Sequence, residues 1–204
     1  MLLYANGDSH TAPEYSYAGL VAREFDYSLT NQAQDGCSNA SIIRRTKEYL
    51  SNTQPDFIII GWSTWEREEW YVDNEYYNVN SSGHDVLPNN LKAQYKSWVK
   101  SQNTDTLTTK SKKWHQDIFD LHISLQRKNI KHLFFNCMYN FVHTVYEPYN
   151  WSNQYIDPYN KDYSYYWYLK GKGLNTDAWY HYKVDGHTVW AKYLINHIKE
   201  NKLI

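Results

Sequence analysis

The sequence predicts an α/β domain of the doubly wound kind, with a mainly parallel sheet covered by helices on both faces. Three observations carry that expectation. Phe57-Ile58-Ile59-Ile60-Gly61-Trp62 is continuously apolar and rich in β-branched residues, as a central strand buried on both faces must be. Shorter runs at residues 2–5, 27–32 and 132–138 alternate with stretches of helical apolar spacing, the order that builds a parallel sheet through helical crossovers. The first three strands break at small-residue corners around Gly7, Gly36 and Gly61. Right-handed crossovers gather such corners at one edge of the sheet.

The elements follow in order. Leu2 to Ala5 reads as a buried strand that ends in Asn6-Gly7-Asp8-Ser9, a turn opening toward a helix. Residues 14–26 carry Tyr17, Leu20, Val21 and Phe25 at helical spacing, with Pro13 suited to a first turn. After the short strand 27–32, Asp35-Gly36-Cys37-Ser38-Asn39 leads into a helix whose inner face is Ile42, Ile43, Thr46, Tyr49 and Leu50. Residues 65–109 are polar and read as an insertion at the loop edge, with a short helix over 90–100. Residues 112–128 form an amphipathic helix with Trp114, Ile118, Leu121 and Leu125 on one stripe. A second insertion, 139–183, is dense in Tyr and Trp without a regular period. Its rings suit either packing of a long loop or stacking on sugar faces, and packing is the commoner use. Val184-Asp185-Gly186-His187-Thr188 reads as a fourth corner before a last helix lined by Val189, Trp190, Tyr193, Leu194 and Ile198. The whole chain, residues 1–204, is expected to be one domain with two insertions.

Composition narrows the function. The 21 Lys and Arg balance 22 Asp and Glu, and no basic stripe favours nucleic acid. No apolar run is long enough to cross a bilayer, and the N-terminus lacks the pattern of a signal peptide. The expectation is a soluble protein, cytoplasmic or virion-associated, the latter because the Asn-, Lys-, Tyr- and Ile-rich composition suits an AT-rich genome. Cys37 and Cys137 read as two buried thiols rather than a disulfide framework. His84, His115, His122, His132, His143 and His181 have no compact ligand spacing, so neither metal nor cofactor is expected. The oligomeric state is left open.

Serine at the first corner and histidine at the last are what nucleophilic acyl transfer needs. A hydroxyl attacks poorly until a base accepts its proton, and an acid fixes the tautomer of that base. Ser9, His187 and Asp185 fit those parts, and backbone N–H groups at glycine corners suit an oxyanion. Strand-Gly7-Asp8-Ser9, then Gly36, then Gly61, then Asp185 with His187 resembles the SGNH (GDSL-like) hydrolase superfamily over nearly the whole chain. The resemblance implies a three-layer α/β/α sandwich, flavodoxin-like, and metal-free ester chemistry. It makes Ser9 the nucleophile and first oxyanion donor through its N–H, Gly36 the second donor, Asp185 the acid and His187 the base.

Two positions depart from the family pattern. Ser63 stands where the third block carries an Asn, so its hydroxyl becomes the expected third donor, with Asn39, Thr64 and Arg67 as alternatives. The acid–base spacing is Asp-x-His instead of Asp-x-x-His, with Asp177 as a second candidate orienter. His10, Asn39, Trp62, Thr64 and Arg67 are candidate substrate-binding residues. The leading expectation is a serine esterase or deacylase acting on a small acyl ester, with an acylated carbohydrate preferred for the aromatic insertions. The rival is a catalytically impaired glycan-binding or structural protein, of viral type, on the same fold. A lipase or thioesterase is less favoured because no long apolar lid is present.

Overall fold

The computed structural model describes residues 1–81, 83, 87–141 and 148–204. Its central sheet holds β1 (Leu2–Asn6), β2 (Ser28–Asn31), β3 (Phe57–Trp62) and β6 (Lys131–Asn136). The order is β2-β1-β3-β6 and every pairing is parallel, so the four strands expected from sequence are present. A bridge from Phe134 to Tyr155 extends the β6 edge. The chain leaves β1 on one side to make β2 and returns on the other to make β3. The carboxyl end of β1 is therefore the switch point of the sheet, where open α/β sheets place their ligand sites.

Helices cover both faces. On one face Leu3, Ala5, Ile59 and Phe135 pack with Tyr17 and Val21 of α1 (Tyr17–Glu24) and Trp190, Leu194 and Ile198 of the C-terminal helix α6 (Val184–Glu200). On the other, Tyr4, Ile58, Ile60 and Phe134 pack with Ile42 of α2 (Asn39–Asn52) and with Trp114, Ile118, Leu121 and Leu125 of α4 (Thr104–Arg127). Alternation along each strand sends successive side chains to opposite layers, which is why every residue of β3 is buried.

Caps, more than apolar spacing, set the helix boundaries. Asn103 accepts the Thr106 N–H at 2.9 Å and starts α4 eight residues before its apolar stripe predicts. Ser38 caps α2 by accepting the Ser41 N–H. α1 is shorter than residues 14–26. The N–H groups of Thr11 and Ala12 both turn back to the Asp8 carbonyl and that of Ser16 to Pro13, so Pro13 lies in a run of turns before the helix.

The first insertion has more order than its polarity suggests. β4 (Glu68–Val72) and β5 (Glu75–Val79) form an antiparallel hairpin. Its two-residue turn, Asp73-Asn74, has φ of 51° and 64°, the double-positive turn that matches strand twist. Hairpin residue Val79 packs with Leu87, Leu91, Tyr95 and Trp98, the last two from α3 (Lys92–Ser101). Arg44 of α2 fastens the hairpin by pairing with Glu69 at 2.6 Å and lying over the Tyr76 ring. In the second insertion the described aromatics chiefly pack. Tyr149 stacks on Phe119 at 3.9 Å and on His115 at 4.4 Å, Trp151 and Tyr155 are buried, and α5 (Tyr165–Gly171) turns Tyr165, Tyr166 and Leu169 into the core.

Two histidines are joined in the seam between α4 and β6. His132 Nδ1 lies 3.0 Å from the Ile130 carbonyl and so carries the proton there. Its Nε2 then accepts from His122 Nδ1 at 2.8 Å. Burial drives His115, His122, His132 and His187 down to about 4, against about 6.5 when unfolded. Between those values the unfolded chain binds more protons than the folded one. Stability is therefore complete above about pH 6.5 and lost as pH falls toward 4. Thermal melts across this range should show a continuous fall in Tm, and a flat profile would contradict the burial of these rings.

Candidate active site

The serine corner is built from below. Asn6, at the end of β1, donates to the Ile42 carbonyl at 3.1 Å and to Thr46 and Tyr4 hydroxyls, while its Oδ1 accepts the Gly7 N–H at 2.9 Å. Gly7 is required by close approach, since a Cβ there would lie 2.9 Å from the Gly61 carbonyl oxygen of β3. Asp8, only 1% exposed, then anchors the loop. Its Oδ1 accepts the His10 N–H at 3.0 Å, and its Oδ2 accepts the Ser63 hydroxyl at 3.0 Å and Arg67 Nη1 at 3.3 Å. Burial opposes ionisation of Asp8, but His10, Arg67 and these hydrogen bonds outweigh it and hold the carboxyl below its usual range.

Ser9 follows, and its Oγ lies 2.8 Å from Nε2 of His181. His181 sits in a loop closed by the antiparallel bridge of Thr176 to Tyr182. Asp177 Oδ1 accepts the N–H groups of Trp179 at 2.8 Å and His181 at 2.9 Å. Asp177 Oδ2 lies 3.8 Å from His181 Nδ1. The backbone donors, chiefly that of His181, hold the Asp177 carboxyl below its usual range. Nδ1–H facing a carboxylate leaves Nε2 free to accept the serine proton. In the sequence this pair is Asp177-x-x-x-His181, just before the last helix.

His187 and Asp185 do not take the places expected of them. Val184 already begins α6, so the anticipated corner is the first helical turn. Residues two apart on a helix point about 200° from each other. His187 faces inward at 1% exposure, against Tyr17 and Tyr165, with Nδ1 at 3.4 Å from the Tyr165 hydroxyl. Asp185 faces solvent and accepts the Gly186 N–H. His187 lines the cleft from one side but makes no bond to Ser9.

The other expected donors divide. The N–H groups of Ser9 and Gly36 have no hydrogen-bond partner among the described residues, and Gly36 holds φ at +69°, a value that favours glycine. The Ser63 hydroxyl instead donates to Asp8. The Asn39 amide is occupied in both directions by the Ser63 backbone, accepting its N–H at 2.9 Å and donating to its carbonyl at 3.2 Å. Thr64 donates to Glu66 at 2.7 Å. Trp62 is fully buried with its ring edge-on to Phe134. Asn39, Trp62 and Thr64 thus hold the scaffold, and neither they nor Gly36, Ser63 and Arg67 are among the residues that line the cleft.

That cleft has a volume of about 180 Å³ and is lined by Ser9, His10, Tyr15, Asp35, Tyr165 and His181 among others. The His10 ring lies 5.1 Å from that of His181, with its Nδ1 buried and unpartnered. Cys37 and Cys137 are free and buried, and burial raises both thiols, so neither is an activated nucleophile. Among the described residues no group of three or more His, Cys, Asp or Glu side chains is placed to hold a metal ion; His84 and His143 lie outside them.

No known family's sequence profile matches the chain, and no curated protein matches it. Solved structures do. The psychrotrophic esterase EstA from Pseudoalteromonas sp. is 14% identical with a TM-score of 0.53, covering 98% of this chain and 97% of its own. TesA is 12% identical with a TM-score of 0.54 over the full length of both chains. The acetyl xylan esterase AlAXEase is 16% identical with a TM-score of 0.53, covering 97% and 100%. The fold is that of the SGNH hydrolases. On this scaffold Ser9 follows the carboxyl end of β1, and the histidine beside it comes from the loop before α6 instead of from α6 itself.

Two substitutions separate the histidines. His181→Ala should lower ester turnover by about 10²–10⁴. His187→Phe, which keeps an aromatic ring against Tyr17 and Tyr165, should stay within about tenfold of the unaltered protein. The reverse ranking in steady-state kinetics would return the base to α6.

Proposed function

We propose that this chain is a serine esterase that removes a small acyl group from an acylated carbohydrate. One observation carries the reading: the 2.8 Å contact of Ser9 Oγ with His181 Nε2 inside a cleft of about 180 Å³. The geometry supports the following mechanism. His181 takes the hydroxyl proton as Ser9 attacks the ester carbonyl, and Asp177 stabilises the imidazolium. The Ser9 and Gly36 N–H groups meet the developing oxyanion. Collapse expels the alcohol, protonated by His181, and water activated by the same ring then frees the acyl group. The Asp177–His181 separation of 3.8 Å is of the kind that tightens once the ring is charged.

Cleft size and rim support the substrate class. The pocket suits an acetyl-sized group, and the aromatics of its wall and of the loop that carries Asp177 and His181 include some too open to be core. Trp179, between Asp177 and His181, is 75% exposed; Tyr180 is 58% exposed and Tyr15 51%. An indole this exposed, on the loop that carries His181, is suited to stacking on the C–H face of a sugar ring. The names of the similar structures include esterases and an acetyl xylan esterase, which agrees with this reading.

Labelling with a fluorophosphonate probe should modify Ser9 stoichiometrically. Ser9→Ala should lose both the label and, by about 10³ or more, ester turnover, without loss of fold. A folded protein that takes no label would favour the glycan-binding rival. Trp179→Ala should raise KM for acetylated oligosaccharides severalfold while leaving a small aryl acetate unaffected; equal effects on both would remove the sugar from the proposal.

A further inference from the structure

We propose that the Arg67 guanidinium is the third oxyanion donor, set between the corners that supply the two backbone N–H groups. This rests on the serine-esterase reading above and adds a residue to it. An acyl-transfer oxyanion bound by two N–H groups alone lacks a donor that can be worth about 10²–10³ in rate. The side chains nearest the third corner are already occupied: Ser63 by Asp8, Asn39 by the Ser63 backbone and Thr64 by Glu66.

Arg67 is arranged differently. It follows the β3 corner and reaches back across the sheet edge, where Nη1 donates to Asp8 Oδ2 at 3.3 Å and to the Cys37 carbonyl at 3.4 Å. Asp8 precedes Ser9 and Cys37 follows Gly36, so this one nitrogen bridges both corners. Nη1 is the only guanidinium nitrogen with a partner among the described residues. Nε is buried and unpartnered, while Nη2 is unpartnered without being sealed from solvent, on a side chain 18% exposed. A planar fork held at one nitrogen presents its others in fixed directions. Asp8 and the Cys37 carbonyl thus hold a cationic donor against the residues that adjoin Ser9 and Gly36, the two corners whose N–H groups would meet the oxyanion.

The competing role is purely electrostatic support of buried Asp8. A cycle of Arg67→Met and Asp8→Asn, singly and together in the full chain, separates the two, with circular dichroism to verify folding. If Arg67 binds the oxyanion, Arg67→Met should lower kcat on an activated aryl acetate by about 10²–10³. KM should change little, labelling of Ser9 by fluorophosphonate should slow, and the same factor should be lost in the Asp8→Asn background. Arg67→Lys, which keeps a charge near Asp8 without the fork, should recover little of the rate and covers the case in which Arg67→Met fails to fold. Recovery of kcat in the double variant relative to Arg67→Met would overturn the proposal and leave Arg67 as a counter-ion. So would an unaltered kcat in Arg67→Met. If unaltered protein takes no label at Ser9, the esterase reading falls and this donor with it; labelled Ser9 with insensitive Arg67 variants removes only the donor.

Discussion

A carboxylate held at 1% exposure must be paired on every side or be neutral, and that constraint organises the open edge of this sheet. Asp8 draws the His10 N–H, the Ser63 hydroxyl and the Arg67 guanidinium onto two oxygens. Those groups come from the β1 corner, the β3 corner and the start of the first insertion. Removing any one leaves part of the charge uncompensated in a buried place, the costly case for a buried ion pair. Ser9 is the next residue, so its position follows from satisfying its neighbour. The same carboxylate engages the Ser63 hydroxyl and one nitrogen of Arg67, which also donates to the Cys37 carbonyl.

The aromatic composition has two separate uses, and burial sorts them. Most rings serve as mass for a sheet that must be covered on both faces. Trp190 on the inner face of α6, Trp62 at the end of β3, and the Tyr149, Phe119 and His115 stack fill volume that aliphatic side chains usually supply. A smaller set, Tyr15 in the cleft and Trp179 and Tyr180 on the loop that carries Asp177 and His181, stays open to solvent. The histidines divide in the same way. His122 and His132 are neutral packing pieces and His187 is a neutral ring in the cleft wall, whereas His181 keeps one ring edge toward Ser9 and the other toward an exposed Asp177.

Local chemistry made much of this legible before the structure. A β-branched run such as residues 57–62 has one stable use, as a strand shielded on both faces, and Gly7-Asp8-Ser9 after a short apolar run marks a strand-to-turn corner. The hairpin β4–β5 was not legible, because its strands are polar on the exposed side and its Asp73-Asn74 turn lacks the glycine that usually announces such a turn. Helix α4 was read too short, because its polar first turns are defined by the Asn103 cap and not by an apolar stripe.

By itself the sequence determined the sheet, its four strands, the helices that cover it and the serine at the switch point, since each follows from side-chain periodicity or turn chemistry within a few residues. Only the tertiary structure decided which histidine meets that serine. Asp185 and His187 lie on opposite sides of a helix that begins one residue before Asp185, whereas Asp177 and His181 share a loop whose bridge to Tyr182 brings it over the sheet edge. Spacing along the chain could not separate these pairs. The choice rests on where α6 begins and how its inner face packs on Tyr17 and Tyr165, contacts made between segments far apart in sequence.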